Sequence, residues 1–411
     1  MTTTNVPSYT VFAGTAGRCG LAVHTTQLVR GLANAGHAVT LVAFEHDYFT
    51  DWLSDSSVRV IHLPIPESPL PWCTYQAWSH ALEGLPGERA ILARGIGGAT
   101  SLPILLALRR YFQRVYTIEH ALADLPQIAW GRSPRRRSVF HFVRNQLACR
   151  LVDRAIAVSE ATRQSVIKEF NFLPSRIHTC LNWVDTDQFR PDPVGREKIR
   201  SALNITKDCL LVGFVGRLAR EKRPGLLIRG FSEFLRRARK PAKLVVIGVG
   251  PLEDELHRLA KNLQIGDAVH FTGWIENPAP WQSAMDIQVL PSFSEPFGLS
   301  GIEAMACGTI YLTHQGGGSG EFVRHGENGF ITPLDEPAQI AEWLSHIESL
   351  TDSDRKRIKV VARETTIRGF SVNVGLARLL ETLDAPVAAA YAHTRGLTAR
   401  TAATQYAEEE R

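Results

Sequence analysis

Apolar residues along the chain gather in short Val/Ile/Leu-rich runs, separated by longer stretches in which they recur at helical spacing. That alternation predicts parallel sheets covered by helices on both faces. A strand buried on both sides is apolar throughout, whereas a covering helix is apolar along one stripe. In the first half the runs predict strands near 9–14, 38–43, 58–63, 90–94, 115–119, 154–158 and 176–181. In the second half they predict strands near 210–215, 243–247, 269–272, 287–290 and 309–312. The polar segment 187–195, carrying Pro191 and Pro193, separates the two series and reads as a linker. Residues 370–383 regain helical spacing, and from about 385 the chain becomes Ala/Thr-rich and then Glu-rich, which reads as a loose tail.

The most informative stretch follows the run that ends at Leu290. Pro296, Gly298 and Gly301 loosen the backbone ahead of an Ala/Met/Glu-rich segment closed by Gly308, which predicts a strand, a turn and a helix. The amides at such a helix start have no partner within the helix and attract an anion. Two carboxylates frame this place, Glu295 before the helix and Glu303 within it. They repel a phosphate but accept hydrogen bonds from hydroxyls attached to one, as a carboxylate does for a ribose. A glycosidase pair fits less well, because its carboxyls stand about 5 to 9.5 Å apart. Eight helical residues would span about 12 Å. A buried helix with two incidental glutamates is the plain alternative.

Glu295-Pro-Phe-Gly-Leu followed by Glu303-Ala-Met-Ala-Cys-Gly resembles the EX7E motif of the retaining glycosyltransferase family 4. Three further stretches resemble that family in the expected order. They are Gly213-Phe-Val-Gly-Arg217 through Lys222-Arg-Pro224, Leu244-Val-Val-Ile-Gly-Val-Gly-Pro-Leu-Glu253, and Gly316-Gly-Gly-Ser-Gly-Glu321 with Gly326-Glu-Asn-Gly329-Phe330. The resemblance runs from about Tyr9 to about Leu383. It implies an α/β GT-B fold, with two Rossmann-like doubly wound domains facing a cleft. It places an acceptor-side domain at 1–187, a donor domain at 188–369, a helix at 370–384 returning to the first domain, and a tail at 385–411.

The resemblance also implies roles. Arg217, Lys222 and the amides near Gly298 and Leu299 would hold the diphosphate of a nucleotide-diphospho-sugar, with UDP- or GDP-sugars foremost. Two cations suit a diphosphate leaving group because charge grows on it as the glycosidic bond breaks. Glu303 would accept ribose hydroxyls, and Glu295 would bind hydroxyls of the transferred sugar. In the first domain, Gly17 and Gly20 would let a glycine loop approach the donor, with Arg18 facing the phosphate or the acceptor. His120, at the end of a strand, would lie beside the sugar, with Glu119 as a competitor and Ala121 where the family has Asp. No metal or other cofactor is implied. Asp185-Thr-Asp187 imitates a metal motif but falls in Asn182-Trp-Val-Asp, which resembles the family's interdomain segment with Trp183 in place of glycine.

Composition changes this picture little. The chain of 411 residues is 44% hydrophobic and 21% charged, as in an ordinary globular protein of two or three domains. Six cysteines show no paired spacing, which predicts reduced thiols and an intracellular setting. No apolar run approaches the ~20 residues of a membrane span, so the expectation is a cytoplasmic protein, peripheral at most. Between 131 and 154 seven arginines face one acid, Asp153, and interleave with Val139, Phe140, Phe142, Val143 and Leu147. That segment would suit an anionic membrane carrying a lipid-linked acceptor, or simply be a basic helix face. A net charge of +5 without a nucleic-acid motif argues against nucleic acid as a partner. Trp72, Tyr75 and Trp78 read as partial core, with a sugar platform as the alternative. The acceptor remains open among glycans, lipids and small molecules. A nicotinamide oxidoreductase would need GxGxxG, which neither glycine loop supplies, and a non-catalytic sugar-nucleotide binder could dispense with Glu295.

Overall fold

The computed structural model describes residues 7–13, 20–43, 48–63, 71–93, 95–96, 101–122 and 139–384. Two parallel sheets organise the chain. The first contains β1 (Tyr9–Ala13), β2 (Val39–Ala43), β3 (Arg59–His62), β4 (Arg89–Ala93), β5 (Arg114–Glu119), β6 (Arg154–Ala157) and β7 (Ile177–Thr179), in the order β3-β2-β1-β4-β5-β6-β7. The second contains β8 (Leu210–Val215), β9 (Ala242–Ile247), β10 (Val269–Gly273), β11 (Ile287–Leu290), β12 (Ile310–His314) and β13 (Phe330–Thr332), in the order β10-β9-β8-β11-β12-β13. Both are doubly wound Rossmann-like sheets, as the alternating pattern predicts.

Alternate side chains of each central strand feed different cores, which is why the strands are apolar throughout. In β4, Ile91 and Ala93 join one core while Ala90 and Leu92 join the other. In β9, Leu244 and Val246 face one layer, and Val245 and Ile247 the opposite one. The edge strand β3 is exposed or half-buried along its length. The strand β13 is missing from the sequence expectation because its three residues are too short to show a period.

Two boundaries differ from the expectation. Pro193 does not belong to a free linker. It opens the helix Pro193–Ala202, where Asp192 caps the start by accepting the Gly195 amide at 2.9 Å. Proline is suited to the first helical turn, where its missing N–H costs nothing. Likewise the helix expected from Phe370 begins at Val372, separated from the preceding helix Asp352–Phe370 by the extended Ser371. Ser371 bridges to Val184, and the Val184 amide bonds the Phe370 carbonyl at 2.8 Å. The helix Val372–Asp384 then lies on the first domain. Leu376 packs against Gly31, Arg89 pairs with Asp384, and the Tyr116 hydroxyl donates to the Leu383 carbonyl at 3.1 Å.

Candidate active site

The site lies at the C-terminal ends of the strands of the second sheet, where open α/β sheets leave a crevice. After β11 the chain turns through Glu295 and enters the helix Leu299–Ala306. Gly298 makes the turn in the left-handed region, with φ of 97°, and no side chain caps the helix. The amides of Leu299 and Ser300 carry no hydrogen bond among the described residues. They are therefore free donors at a helix start. Glu295 is 4% exposed and its backbone is fixed by the following glycine loop. Its carbonyl accepts the Gly318 amide at 2.7 Å, and a methyl on Gly317, whose φ is 87°, would lie only 2.1 Å from that carbonyl.

The two expected cations behave differently. Lys222 donates to both carboxylate oxygens of Glu295, each at 2.7 Å, with 24% of the lysine side chain and 5% of the glutamate exposed. Arg217 instead turns to Glu221, with 65% of its side chain in solvent. An exposed pair four residues apart is weak, so Arg217 is free to reorient toward a ligand. Glu303, within the helix, is partly buried, and burial pushes its carboxyl up to about 7.

On the first domain, Gly17 and Arg18 lie outside the described residues. Gly20 opens the helix Gly20–Asn34, and a methyl placed on it would touch Leu299 at 3.6 Å. The starts of the two helices thus meet across the cleft. His120 follows β5, and its Nε2 is buried without a partner. Burial and the neighbouring His24 hold its pKa well below the usual imidazole range. A neutral imidazole offers one donor and one acceptor. The competing Glu119 turns the other way, accepting the Ile96 amide at 3.0 Å, and burial pushes its carboxyl up to about 7.

His24 was not foreseen. Its ring centroid stands 4.6 Å from that of His120 and 4.7 Å from that of Trp183, and neither of its nitrogens has a partner. Burial lowers its pKa to about 4. The available signal was a histidine inside the apolar stripe Ala22, Leu28, Val29, Leu32 of one helix. Trp183 is 2% exposed and continues the stack outward to the returning helix. A methyl on Gly375 would lie 2.3 Å from the indole, so only glycine lets that helix settle there.

Polar contacts also join the domains beyond this stack. Glu321 of the glycine loop accepts the Glu160 amide at 2.8 Å and the Ala161 amide at 3.4 Å, at the start of the helix Glu160–Phe170. Trp52 donates from its indole to Glu276 at 2.9 Å. Elsewhere, the Asp185 carboxylate accepts the Asp187 and Gln188 amides, each at 3.0 Å, and so caps the turn that carries it. Trp78 is buried in the first domain's core, and the side chain of Trp72 lies outside the described residues. Among the described residues no helix is long and apolar enough to cross a membrane.

Comparison with known proteins agrees with this arrangement. Residues 19–188 match the family described as Glycosyltransferase Family 4, and residues 195–365 match glycosyl transferases group 1. A D-inositol 3-phosphate glycosyltransferase of Catenulispora acidiphila is 34% identical over 51% of this chain and 52% of its own length. An uncharacterized glycosyltransferase of Methanocaldococcus jannaschii is 25% identical over 80% of this chain and 85% of its own. The chain thus spans about half the length of the first of these relatives. In fold it is similar to Anabaena HepE, solved with UDP and glucose, at a TM-score of 0.77 and 19% identity over 92% of this chain and 100% of that one. It is also similar to WaaG, a glycosyltransferase involved in lipopolysaccharide biosynthesis, at a TM-score of 0.71 and 15% identity over 92% and 100% of the two chains. With two facing Rossmann-like sheets and both halves matched in order, the chain belongs to glycosyltransferase family 4 and has the GT-B fold.

Proposed function

We propose that the protein is a retaining glycosyltransferase that moves a sugar from a nucleotide-diphospho-sugar to an acceptor hydroxyl without a metal. The observation that carries this reading is the pairing of Lys222 with Glu295 beside the free amides of Leu299 and Ser300. A diphosphate arriving at those amides draws Lys222 and Arg217 onto its oxygens, where they offset the charge that develops on the leaving group. Glu295, released from Lys222, then accepts hydroxyls of the transferred sugar. Glu303 accepts those of the ribose. The Nε2 of His120 has no hydrogen-bond partner and offers one to a sugar hydroxyl. The acceptor hydroxyl and the leaving phosphate lie on the same face of the sugar, so the phosphate oxygen takes the acceptor proton and no enzyme nucleophile is needed. Domain closure excludes water from the reaction.

The relatives' name makes a phosphorylated cyclitol one acceptor to try. A lipid-linked acceptor is another, because the helix Val139–Leu151 exposes Val143 and Leu147, at 48% and 44%, near Arg150. Co-sedimentation with anionic vesicles, lost in V143D/L147D, would support that contact. The main test is calorimetric titration with UDP-, GDP- and ADP-sugars without added metal, beside Glu303→Ala. Selective binding that disappears in the variant supports the donor site. Absence of binding by folded protein overturns it.

A further inference from the structure

At the opposite end of the second sheet a cavity of about 610 Å³ opens between the helix Asp352–Phe370 and the turns that precede β8 and β9. Strand β8 begins at this cavity with Leu210 and ends at Val215, ahead of Arg217, while β11 begins beside Asp286 and leads to Glu295. Strands of this length put roughly 15–20 Å between the cavity and the site described above.

Four lysines line it, Lys356 and Lys359 from the helix and Lys207 and Lys240 from the turns opposite. Among the described residues none of their ammonium groups forms an ion pair or hydrogen bond, although Asp286 acts on Lys359 through space, whereas the acids on the same walls are mostly committed to other groups. Asp286 is taken by Arg196 and Arg200, Glu348 by the amides of Arg239 and Lys240, and Asp352 by Arg355. Glu364 faces Arg368 at 3.5 Å, and Asp208 forms no ion pair among the described residues. Lys356 and Lys359, three residues apart, share one helical face. Burial disfavours the charged form of Lys359, with Asp286 as the main opposing influence. A partly desolvated cation of this kind gains from an incoming anion.

We infer that this cavity is a second binding site, distinct from the donor cleft, for a small molecule carrying a phosphate group, gripped by Lys356 and Lys359 with Lys207 and Lys240 opposite. Lysine suits such a ligand as a compact point charge with rotatable donors. The cavity reaches the segment between the domains through Arg363, which also lines it. Its guanidinium binds the carbonyls of Thr186 and Phe189, between the domains, at 2.8 and 2.6 Å, and that of Ala306, at the end of the helix bearing Glu303, at 2.9 Å. This inference does not depend on the transferase reading.

The test uses R217A/K222A protein, in which the donor site's own phosphate grip is removed. It is titrated in the calorimeter with glucose 6-phosphate and, separately, with inorganic phosphate. Saturable binding is expected, weakened roughly tenfold or more by adding K356Q/K359Q, since each charged hydrogen bond contributes on the order of 1.5–3 kcal/mol, and retained by K359R. Tighter binding of glucose 6-phosphate assigns the site to phosphate esters, and equal binding assigns it to the free anion. Binding that survives K356Q/K359Q, or no binding of either probe while the R217A/K222A protein still shows a cooperative melting transition, overturns the inference.

Discussion

The ammonium of Lys222 sits 2.7 Å from each carboxylate oxygen of Glu295, so the two groups proposed to serve the donor hold each other. Removing one partner of a largely buried pair strands the other and costs about 3–5 kcal/mol, whereas removing both charges is much milder. Lys222→Met is therefore expected to lower the melting temperature markedly, and K222M/E295Q to recover most of the loss. Activity should follow a different order. Glu295→Gln keeps nucleotide affinity within a few-fold but lowers turnover by about 10²-fold or more, while Lys222→Met loses both. Equal melting temperatures for the single and double variants would show that the pair is not buried in solution.

Glu303 gives the donor affinity a pH dependence of definite sign. Its carboxyl stands at about 7, and in the proposed donor site ribose hydroxyls donate to the ionised form. Binding of a UDP-sugar, which has no group titrating between pH 6 and 8, should tighten by up to about tenfold across that range. Glu303→Gln should bind more weakly and without the slope. An unchanged slope in the variant would move the effect to another group.

Glu119 acts on stability in the reverse direction. Its pKa is raised from 4.5 to about 7 by burial, so the folded state holds the proton more tightly than the unfolded one. That stability is complete below about pH 4.5 and is lost as pH rises through 7, by about 3 kcal/mol. Glu303 and Glu321, raised likewise to about 7, share this sign. Calorimetric melting temperatures should fall from pH 5 to pH 8, and Glu119→Gln, which still accepts the Ile96 amide, should flatten the fall.

Trp183 and His120 both pack against His24. Trp183→Gly opens a cavity beneath Gly375 and should cost about 3–5 kcal/mol. At a temperature where the variant is still folded, turnover should drop more than UDP-sugar affinity, because His120 loses its support. His24→Phe keeps a ring in place and should retain most of the turnover. Equal loss of turnover in both variants would assign His24 a polar role instead.

Much of this was legible in the sequence because it is local. Strand runs, the turn at Gly298 and the helix carrying Glu303 each depend on residues close together, and their pattern states the fold. The partners of the functional side chains were not legible. Nothing in the spacing of Lys222 and Glu295 says that they bond each other, 73 positions apart. Nor does it show that Arg217 prefers Glu221, and Glu321 bonds amides of the other domain only once the two sheets have docked. His24 was hidden for a related reason, since a buried histidine in an apolar stripe looks like packing until its neighbours are His120 and Trp183. The proline at 193 misled because the same residue ends a pattern and starts a helix.

The helix Val372–Asp384 also bears on how the protein is made. A ribosome that has released all seven strands of the first sheet has not yet begun the second, and the segment that lies on Gly31, Arg89 and Tyr116 comes only after it. The first domain therefore waits, with an uncovered apolar seam, for the rest of the chain to be translated. Chaperone binding during synthesis should fall on that seam and end when the last turn of the helix emerges.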